Sequence, residues 1–348
     1  MPKCRLKNAS NPVALVGLLT FAVSFVAAAE EAKPAAAAAT PQATAETTPP
    51  RAPQKAFYRG TSLSYGHSLG VTTITGEPGY GFYDPNPTWS HHLELVPEIH
   101  IGDQFFARAR LSLEQEFTDV DAPTGNHEVM LSDLGVEAGV AGVTIPVVGI
   151  HVAGNVRFTF PTSKASQART MVMTIGPALS LSRKFPLLSG LTVAYAGRYT
   201  HRFHRLTEGY VMTNEGCIES LQTTCREPMG VNTHSDLTHG PALTFSPLET
   251  LTFATNFAIS HRWQYAPSAV EGLANQTNPS TFNTIFDLSV SYQLFRPVGL
   301  TLGASTFTPG LNAQGSNLFV LFNRNTTLYL DATVDIEAAV KGILGDPS

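Results

Sequence analysis

The sequence predicts an all-β chain, folded as a transmembrane antiparallel up-and-down β-barrel of about twelve strands. Apolar and polar residues alternate with a period of two along most of the chain after Phe57, which is the signal of a half-buried strand. Many of the alternating segments reach about ten residues or more, the length a tilted strand needs to cross a bilayer. Short and long connections between them also alternate, as they do between the two mouths of a membrane barrel.

The first 56 residues precede the predicted barrel. Three basic residues lie within the first seven, and the apolar run "PVALVGLLTFAVSFVAAA" follows them. Small residues at Ala27 and Ala29 complete the pattern of a secretory signal peptide over 1–29. Residues 30–56 are rich in Ala, Pro and Thr with almost no large apolar side chain. They therefore predict a disordered periplasmic linker.

The barrel is predicted over 57–336, and residues 337–348 form a C-terminal tail. The predicted strands lie at 58–67, 92–101, 104–117, 131–143, 147–160, 171–182, 191–203, 237–245, 251–265, 282–294, 300–307 and 326–336. In 251–265, Leu251, Phe253 and Phe257 share one face, and Thr252 and Asn256 share the other. Successive side chains of a strand point to opposite faces, so each segment has one apolar and one polar face.

Several features indicate that the apolar face meets lipid and the polar face lines an interior. Lysine, a common surface charge, is nearly absent from the predicted strands. Aromatic residues such as Phe117, Trp263 and Tyr265 gather towards strand ends, which is typical of the girdles at membrane interfaces. The net charge of -5, with only 14% charged residues, gives no basic footprint for nucleic acid.

In these features the chain resembles bacterial outer-membrane β-barrel proteins of the porin-like kind, with about twelve strands. The resemblance covers 57–336 and is one of architecture, and no motif selects a single family. It implies an outer-membrane location, contact with outer-membrane lipid and insertion by the outer-membrane assembly machinery. Such proteins often finish on a strand with a terminal aromatic residue that this machinery reads. Here the polar tail 337–348 follows the last strand, so the usual insertion signal is not in its usual place.

Charged residues on the polar face follow the direction of the strands. Strands that rise from the short turns carry arginines, namely Arg108, Arg110, Arg157, Arg198, Arg202 and Arg262. Descending strands carry acids, namely Glu94, Glu98, Asp133, Glu137, Asp236, Asp287, Asp331 and Asp335, whereas Glu114 and Glu116 are exceptions on a rising strand. Antiparallel neighbours therefore set arginine beside acid, as burial of charge requires. Two interpretations stay open: an ion-pair network that braces or closes the lumen, and a charged constriction that selects small solutes in a water-filled channel.

Three functions are compatible with this pattern. The leading hypothesis is a channel for passive or weakly selective diffusion of small solutes. The second is a closed structural or surface-interaction barrel whose external loops bind partners. The third is a membrane-lipid hydrolase, which needs a serine, a histidine base and a polar orienting group within hydrogen-bond reach. His234 and Ser235 are neighbours on a predicted strand and alternate faces, so we expect these two side chains not to meet.

Two cysteines, Cys217 and Cys225, lie in the longest external connection. In an exported chain their spacing predicts a disulfide. The rim histidines His201 and His204 lack the same-face spacing that a metal site on a strand needs. The sequence therefore predicts no metal site, no cofactor and no catalytic residue, and it leaves the oligomeric state open.

Overall fold

The computed structural model describes residues 58–75, 88–118, 127–186, 190–213, 225–266, 280–310 and 319–344. Within these ranges the chain forms one closed antiparallel β-barrel of twelve strands, one separate two-stranded hairpin and three short helices. The predicted signal peptide over 1–29 and linker over 30–56 lie outside the described residues. Cys217 lies outside them too, so the disulfide with Cys225 stays a prediction.

The strand bounds agree closely with the period-two segments. The strands are β1 (Ser62–Gly70), β2 (Trp89–Val96), β3 (Glu98–Ile101), β4 (Phe105–Glu116), β5 (Met130–Leu131), β6 (Leu134–Ile145), β7 (Ile150–Phe160), β8 (Met171–Phe185), β9 (Leu191–His204), β10 (Glu208–Thr213), β11 (Cys225–Val231), β12 (Thr233–Leu248), β13 (Leu251–Gln264), β14 (Ser280–Phe295), β15 (Val298–Pro309) and β16 (Thr326–Asp335). The helices are α1 (Val71–Thr75), α2 (Lys164–Ala168) and α3 (Ile336–Leu344).

Each barrel strand pairs antiparallel with the barrel strands before and after it in the chain. The barrel closes where β1 pairs with β16, from Ser62 opposite Asp335 to Gly70 opposite Thr327. β2 and β3 together form one barrel strand that is interrupted at Pro97, where proline has no N–H for the ladder. β5 and β6 likewise share one position in the barrel. The predicted fold of about twelve antiparallel strands is confirmed.

Several predicted strand ends differ from the structure by three or four residues. The first strand is Ser62–Gly70 rather than 58–67, and β12 begins at Thr233, four residues before the predicted start. The early part of β12 was missed because a register shift lies between Thr233 and Ser235. Such a bulge adds a residue and interrupts the strict alternation that marks a strand.

The described barrel is apolar outside and polar inside. Among the described residues only Val96 and Ala258 are buried hydrophobic residues, whereas the buried polar and charged residues include Glu94, Arg110 and Glu137. Large apolar side chains such as Leu288 stand exposed on the outer face. A contiguous apolar exterior of this kind marks a membrane-facing surface, and a closed barrel satisfies every strand edge within lipid. The chain is therefore located in the outer membrane, as predicted.

Helix α3 follows β16 without a connecting loop. Asp335, the last residue of β16, accepts a hydrogen bond from the Ala338 N–H at 3.0 Å, which satisfies one donor at the start of the helix. Much of the predicted C-terminal tail is therefore a short helix. No helix in the described ranges is both long enough and apolar enough to cross a membrane.

Candidate functional site

Three arginines from three strands converge on one carboxylate in the lumen. Glu137 of β6 is paired in register with Arg108 of β4 and Arg157 of β7. The Glu137 Oε1 atom lies 2.5 Å from Arg108 Nη2, and Oε2 lies 2.9 Å from Arg157 Nη2 and 3.8 Å from Arg198 Nη2. The Glu137 side chain is only 3% exposed. A carboxylate so deeply buried keeps its charge only because these cations surround it.

Arg198 reaches Glu137 across two strands. It belongs to β9, and β8 and β7 lie between β9 and β6, which carries Glu137. The residues of β8 beside it are small: Ala178 is opposite Arg198 in register, and Gly176 lies two residues before Ala178 on the same strand. Arg198 also donates to Asn155 Oδ1 of β7 at 3.2 Å. Small residues on β8 thus let the guanidinium extend towards β7 and β6.

Further ion pairs extend this cluster towards β2 and β3. Arg108 Nη1 lies 3.7 Å from Glu98 Oε2, and Glu98 Oε1 lies 2.7 Å from His100 Nε2. Arg110 Nε lies 3.1 Å from Glu94 Oε1. We call this set the arginine wall; its members are Arg108, Arg110, Arg157, Arg198, Glu94, Glu98 and Glu137. The arginine wall therefore contains four arginines and three glutamates.

Two aspartates occupy the other side of the lumen. Tyr329 donates its hydroxyl to the two carboxylate oxygens of Asp287 at 3.2 and 3.1 Å. His92 Nε2 lies 3.5 Å from Asp331 Oδ1. In the described part of the chain, no arginine or lysine forms an ion pair with Asp287 or Asp331. We call Asp287, Asp331, Tyr329 and His92 the acidic wall.

The acidic wall depends on two glycines that face it. A Cβ added to Gly66 would lie 1.8 Å from Asp331 Oδ1, and one added to Gly303 would lie 2.3 Å from the Tyr329 ring. Both distances are far shorter than any tolerated contact. Gly66 of β1 and Gly303 of β15 therefore leave space for the side chains of Asp331 and Tyr329, which belong to the neighbouring strand β16.

A smaller basic group lies towards the long-loop end of the barrel. Arg202 of β9 forms an ion pair with Asp236 of β12, and Arg262 of β13 is opposite Asp236 in register. Arg169 caps the C-terminal end of α2. Burial, together with the nearby charges of Arg202 and Arg262, lowers the pKa of Arg169. This group thus contains three arginines and one aspartate.

Three of the predicted lumen acids lie apart from the arginine wall. Glu114 accepts from the Ser90 hydroxyl at 3.0 Å, and Glu116 accepts from the Thr118 hydroxyl. Asp133 lies between β5 and β6, where it accepts from the Ser163 N–H at 2.9 Å and thereby holds the start of α2. These carboxylates satisfy hydroxyl and backbone donors at the long-loop end.

The predicted lumen charges leave out several lumen side chains that are neither arginine nor acid, although the alternation already places His100 on the polar face of its strand. His92 and His100 share the face of Glu94 and Glu98, because all four are even-numbered residues on the strand formed by β2 and β3. Tyr329 similarly lies two residues before Asp331 on β16. Counting residues at intervals of two from the predicted acids would have found all three.

The expectation that His234 and Ser235 stay apart is wrong. His234 Nδ1 lies 2.7 Å from Ser235 Oγ, His201 Nδ1 lies 3.1 Å from it, and the Tyr199 hydroxyl donates to it at 3.1 Å. The register shift between Thr233 and Ser235 interrupts the alternation that would separate neighbouring side chains. In the described ranges no carboxylate hydrogen-bonds to His201 or His234. The group lies on the outer face of the barrel, where Tyr199 is exposed.

Comparison with known proteins supplies no family. No protein-family model matches the chain, and no curated protein matches it. An outer membrane channel from Pseudomonas putida F1 is 10% identical, with a TM-score of 0.49 over 82% of this chain and 98% of that chain. The KdgM porin in complex with disordered oligogalacturonate is 9% identical, with a TM-score of 0.41 over 78% and 98%. The NanC porin is 11% identical, with a TM-score of 0.41 over 79% and 99%.

At 9–11% sequence identity, these similarities do not identify a solute or an activity for this chain. Both are inferred from the chain's own residues. Its architecture is evident from the barrel itself, which is closed, apolar on the outside and charged on the inside. The chain is a twelve-stranded outer-membrane β-barrel.

Proposed function

We propose that the barrel is a channel for passive or weakly selective diffusion of small solutes across the outer membrane. The observation that carries this proposal is the concentration of charge inside the barrel. Arg198, Asp287 and Asp331 each lie near the middle of their strands, so opposite charges occur at mid-height. Charges at that depth are stable when they are paired or hydrated. Only two hydrophobic residues are buried in the described part of the barrel. An interior with so little apolar surface favours a lumen that contains water.

We also propose how the protein reaches the membrane. The pattern over 1–29 supports export by a signal peptide, and the barrel architecture supports insertion by the outer-membrane assembly machinery. The Cys217–Cys225 disulfide would form in the oxidising periplasm before insertion. Outer-membrane lipid would then cover the apolar exterior.

A planar-bilayer recording tests the channel directly. We expect the wild-type protein to conduct ions, and we expect Arg198→Gln to lower the anion-to-cation permeability ratio by up to about fivefold. Arg198 is the member of the trio around Glu137 with the longest ion pair, at 3.8 Å. Its replacement therefore removes one positive charge while Arg108 and Arg157 keep their closer contacts with Glu137. The reversal potential across a KCl gradient measures the ratio.

Arg183→Gln is the matched control for this experiment. Arg183 lies near the short-turn end of β8, where its guanidinium stacks over the Phe185 ring at 5.1 Å, away from the arginine wall. The control should keep the wild-type ratio. A correctly folded wild-type protein that never conducts would refute the channel.

The second candidate, a closed structural or surface-interaction barrel with partner-binding external loops, is favoured by one observation. The side chains of Arg108, Arg110, Arg157 and Arg198 are only 10–14% exposed. An ion-pair network that closes the lumen would give such values. A closed barrel would stay silent in the bilayer recording, so the same experiment separates the two candidates.

The third candidate, a membrane-lipid hydrolase, is favoured by the contact between Ser235 and two histidines. Ser235 is 4% exposed, and its hydroxyl is already surrounded by three partners. We therefore expect wild-type protein and Ser235→Ala to release fatty acid from phospholipid vesicles at the same background rate. A wild-type rate that Ser235→Ala lowers by about a thousandfold would instead identify Ser235 as a nucleophile.

A further inference from the structure

Part of the last external connection lies against the wall of the barrel. β15 ends at Pro309 and β16 begins at Thr326, and the structure describes residues 319–325 of the connection between them. We call residues 319–325 the strap. The backbone of the strap reaches β15, because the Leu321 carbonyl oxygen accepts a hydrogen bond from the Thr306 hydroxyl at 3.0 Å. The face of the wall to which Thr306 belongs therefore decides on which side the strap lies.

Thr306 belongs to the outer face of the wall. It is in register with Phe286 of β14, and side chains in register on neighbouring strands share one face of the sheet. Phe286 is two residues before Leu288, which is exposed on the outer face, and residues at that spacing point the same way. The strap therefore lies outside the barrel, near the external end of β15 and beside the lipid.

The side of the strap that meets the wall is polar. Thr306, Thr308 and Thr326 are all buried, and the hydroxyls of Thr306 and Thr326 are 2.9 Å apart. Asn323 of the strap donates its side-chain amide to Thr308 Oγ1 at 2.9 Å and its backbone N–H to Thr326 Oγ1 at 2.8 Å. Hydroxyl groups on a lipid-facing wall require such partners, which acyl chains cannot supply. The strap thus covers a polar patch on the outside of the barrel.

The opposite side of the strap is apolar. Phe319, Leu321 and Phe322 are 67%, 48% and 53% exposed. The outer face of β16 continues this surface towards mid-height with the exposed side chain of Leu330. Exposed apolar surface that continues a membrane-facing wall marks contact with the membrane. A segment with one polar and one apolar side is also the kind that lies at a membrane interface.

We propose that the strap inserts its apolar side into the outer leaflet of the membrane, with Phe319, Leu321 and Phe322 among the acyl chains. The partner of this surface is lipid, because the surface is continuous with the lipid-facing exterior of the barrel and lies at its external end. Aromatic side chains are favoured at that depth. The proposal concerns the outside of the wall, so it applies to an open lumen and to a closed one.

A spin label on a single cysteine tests this proposal in phosphatidylcholine vesicles. The full chain carries Cys217→Ser/Cys225→Ser and one new cysteine, Phe322→Cys. Oxygen concentrates among acyl chains and a nickel chelate stays in water, so the ratio of their collision rates with the label reports its depth. The label should lie about 5–10 Å inside the boundary between headgroups and acyl chains. Phe319→Cys should give a similar depth and decides the question if Phe322→Cys does not fold.

Two further labels calibrate the depth. Lys164→Cys lies on α2 at the external rim, where the lysine side chain is 58% exposed, and its label should be in water. Leu288→Cys lies in the middle of β14, and its label should be deeper than the label at position 322. A label at position 322 that meets the nickel chelate as often as the label at position 164 would overturn the proposal. Spin–spin coupling between labels at position 322 of two protomers would assign the surface to a second copy of the chain and would also overturn it.

Asn323 is the residue that holds the strap against the wall. Its side chain donates to Thr308 and to the Phe319 carbonyl oxygen, and it accepts from the Asn325 backbone N–H. Asn323→Ala should make the label at position 322 more mobile and widen its range of depths. Asn325→Ala is the matched control, because alanine keeps the backbone N–H, and it should leave the label unchanged. Identical spectra for the two variants would overturn the role of Asn323, whereas the depth at position 322 still decides the contact with lipid.

Discussion

Glu137→Gln is expected to lower the free energy of unfolding of the barrel by about 3–5 kcal/mol. The substitution leaves Arg108, Arg157 and Arg198 close together without the carboxylate that now accepts from them. Removing one partner of a buried charge pair leaves the other charge desolvated and unneutralised, and here three cations lose the same partner. Denaturant titration of the protein in phospholipid vesicles measures the effect.

Two variants make this prediction specific. Glu128→Gln removes a carboxylate whose partner, Lys164, is mostly exposed, and it should change the free energy of unfolding by less than about 1 kcal/mol. The double variant Glu137→Gln/Arg198→Gln should recover part of the loss, because one uncompensated cation is removed with the carboxylate. Equal and small effects of Glu137→Gln and Glu128→Gln would show that the arginine wall is already hydrated and contributes little to stability.

Leu288→Arg is expected to destabilise the barrel by about 2–4 kcal/mol, because it places a charge on the lipid face near the bilayer midplane. Leu288 lies in the middle of β14 with an exposed fraction of 49%. Leu294→Arg is a matched control, because Leu294 lies on the same face of β14 near its end and is 47% exposed. Near the interface an arginine costs only about 0–1 kcal/mol.

The comparison between these two leucines tests the orientation of the barrel in the membrane. Both substitutions make the same chemical change at the same exposure, so a difference in the free energy of unfolding reports depth in lipid. Equal effects would contradict a membrane-spanning β14 and favour a barrel whose outer face meets water.

The strands were predictable because the alternation of apolar and polar residues is visible within each strand separately. In β13, Phe253 and Phe257 alternate with Thr252 and Asn256, and a strand displays that pattern whatever its partners are. The same parity indicated that Arg108, Glu137 and Arg157 would face inward. The antiparallel pairing of β4 with β6 and of β6 with β7 then brings these three side chains together.

Other features could not be predicted because they depend on register. The bulge near Thr233 turns Ser235 towards His234 and His201, and no period-two count reports an extra residue in one strand. Arg198 reaches Glu137 across β8 and β7, which is a contact between side chains on non-adjacent strands. Asp133 accepts a hydrogen bond at the start of α2, a contact that alternation within one strand does not report.

The sequence by itself determined the fold class, the number of strands, the face of each strand that meets lipid and the inward position of the main charges. These properties follow from alternation within single strands and from the lengths of the connections between them. Only the tertiary structure decided that the arginines share Glu137 on one wall while Asp287 and Asp331 occupy the other. That division arises when the sheet closes with a particular register, because closure sets which strands are opposite and which residues lie at the same height.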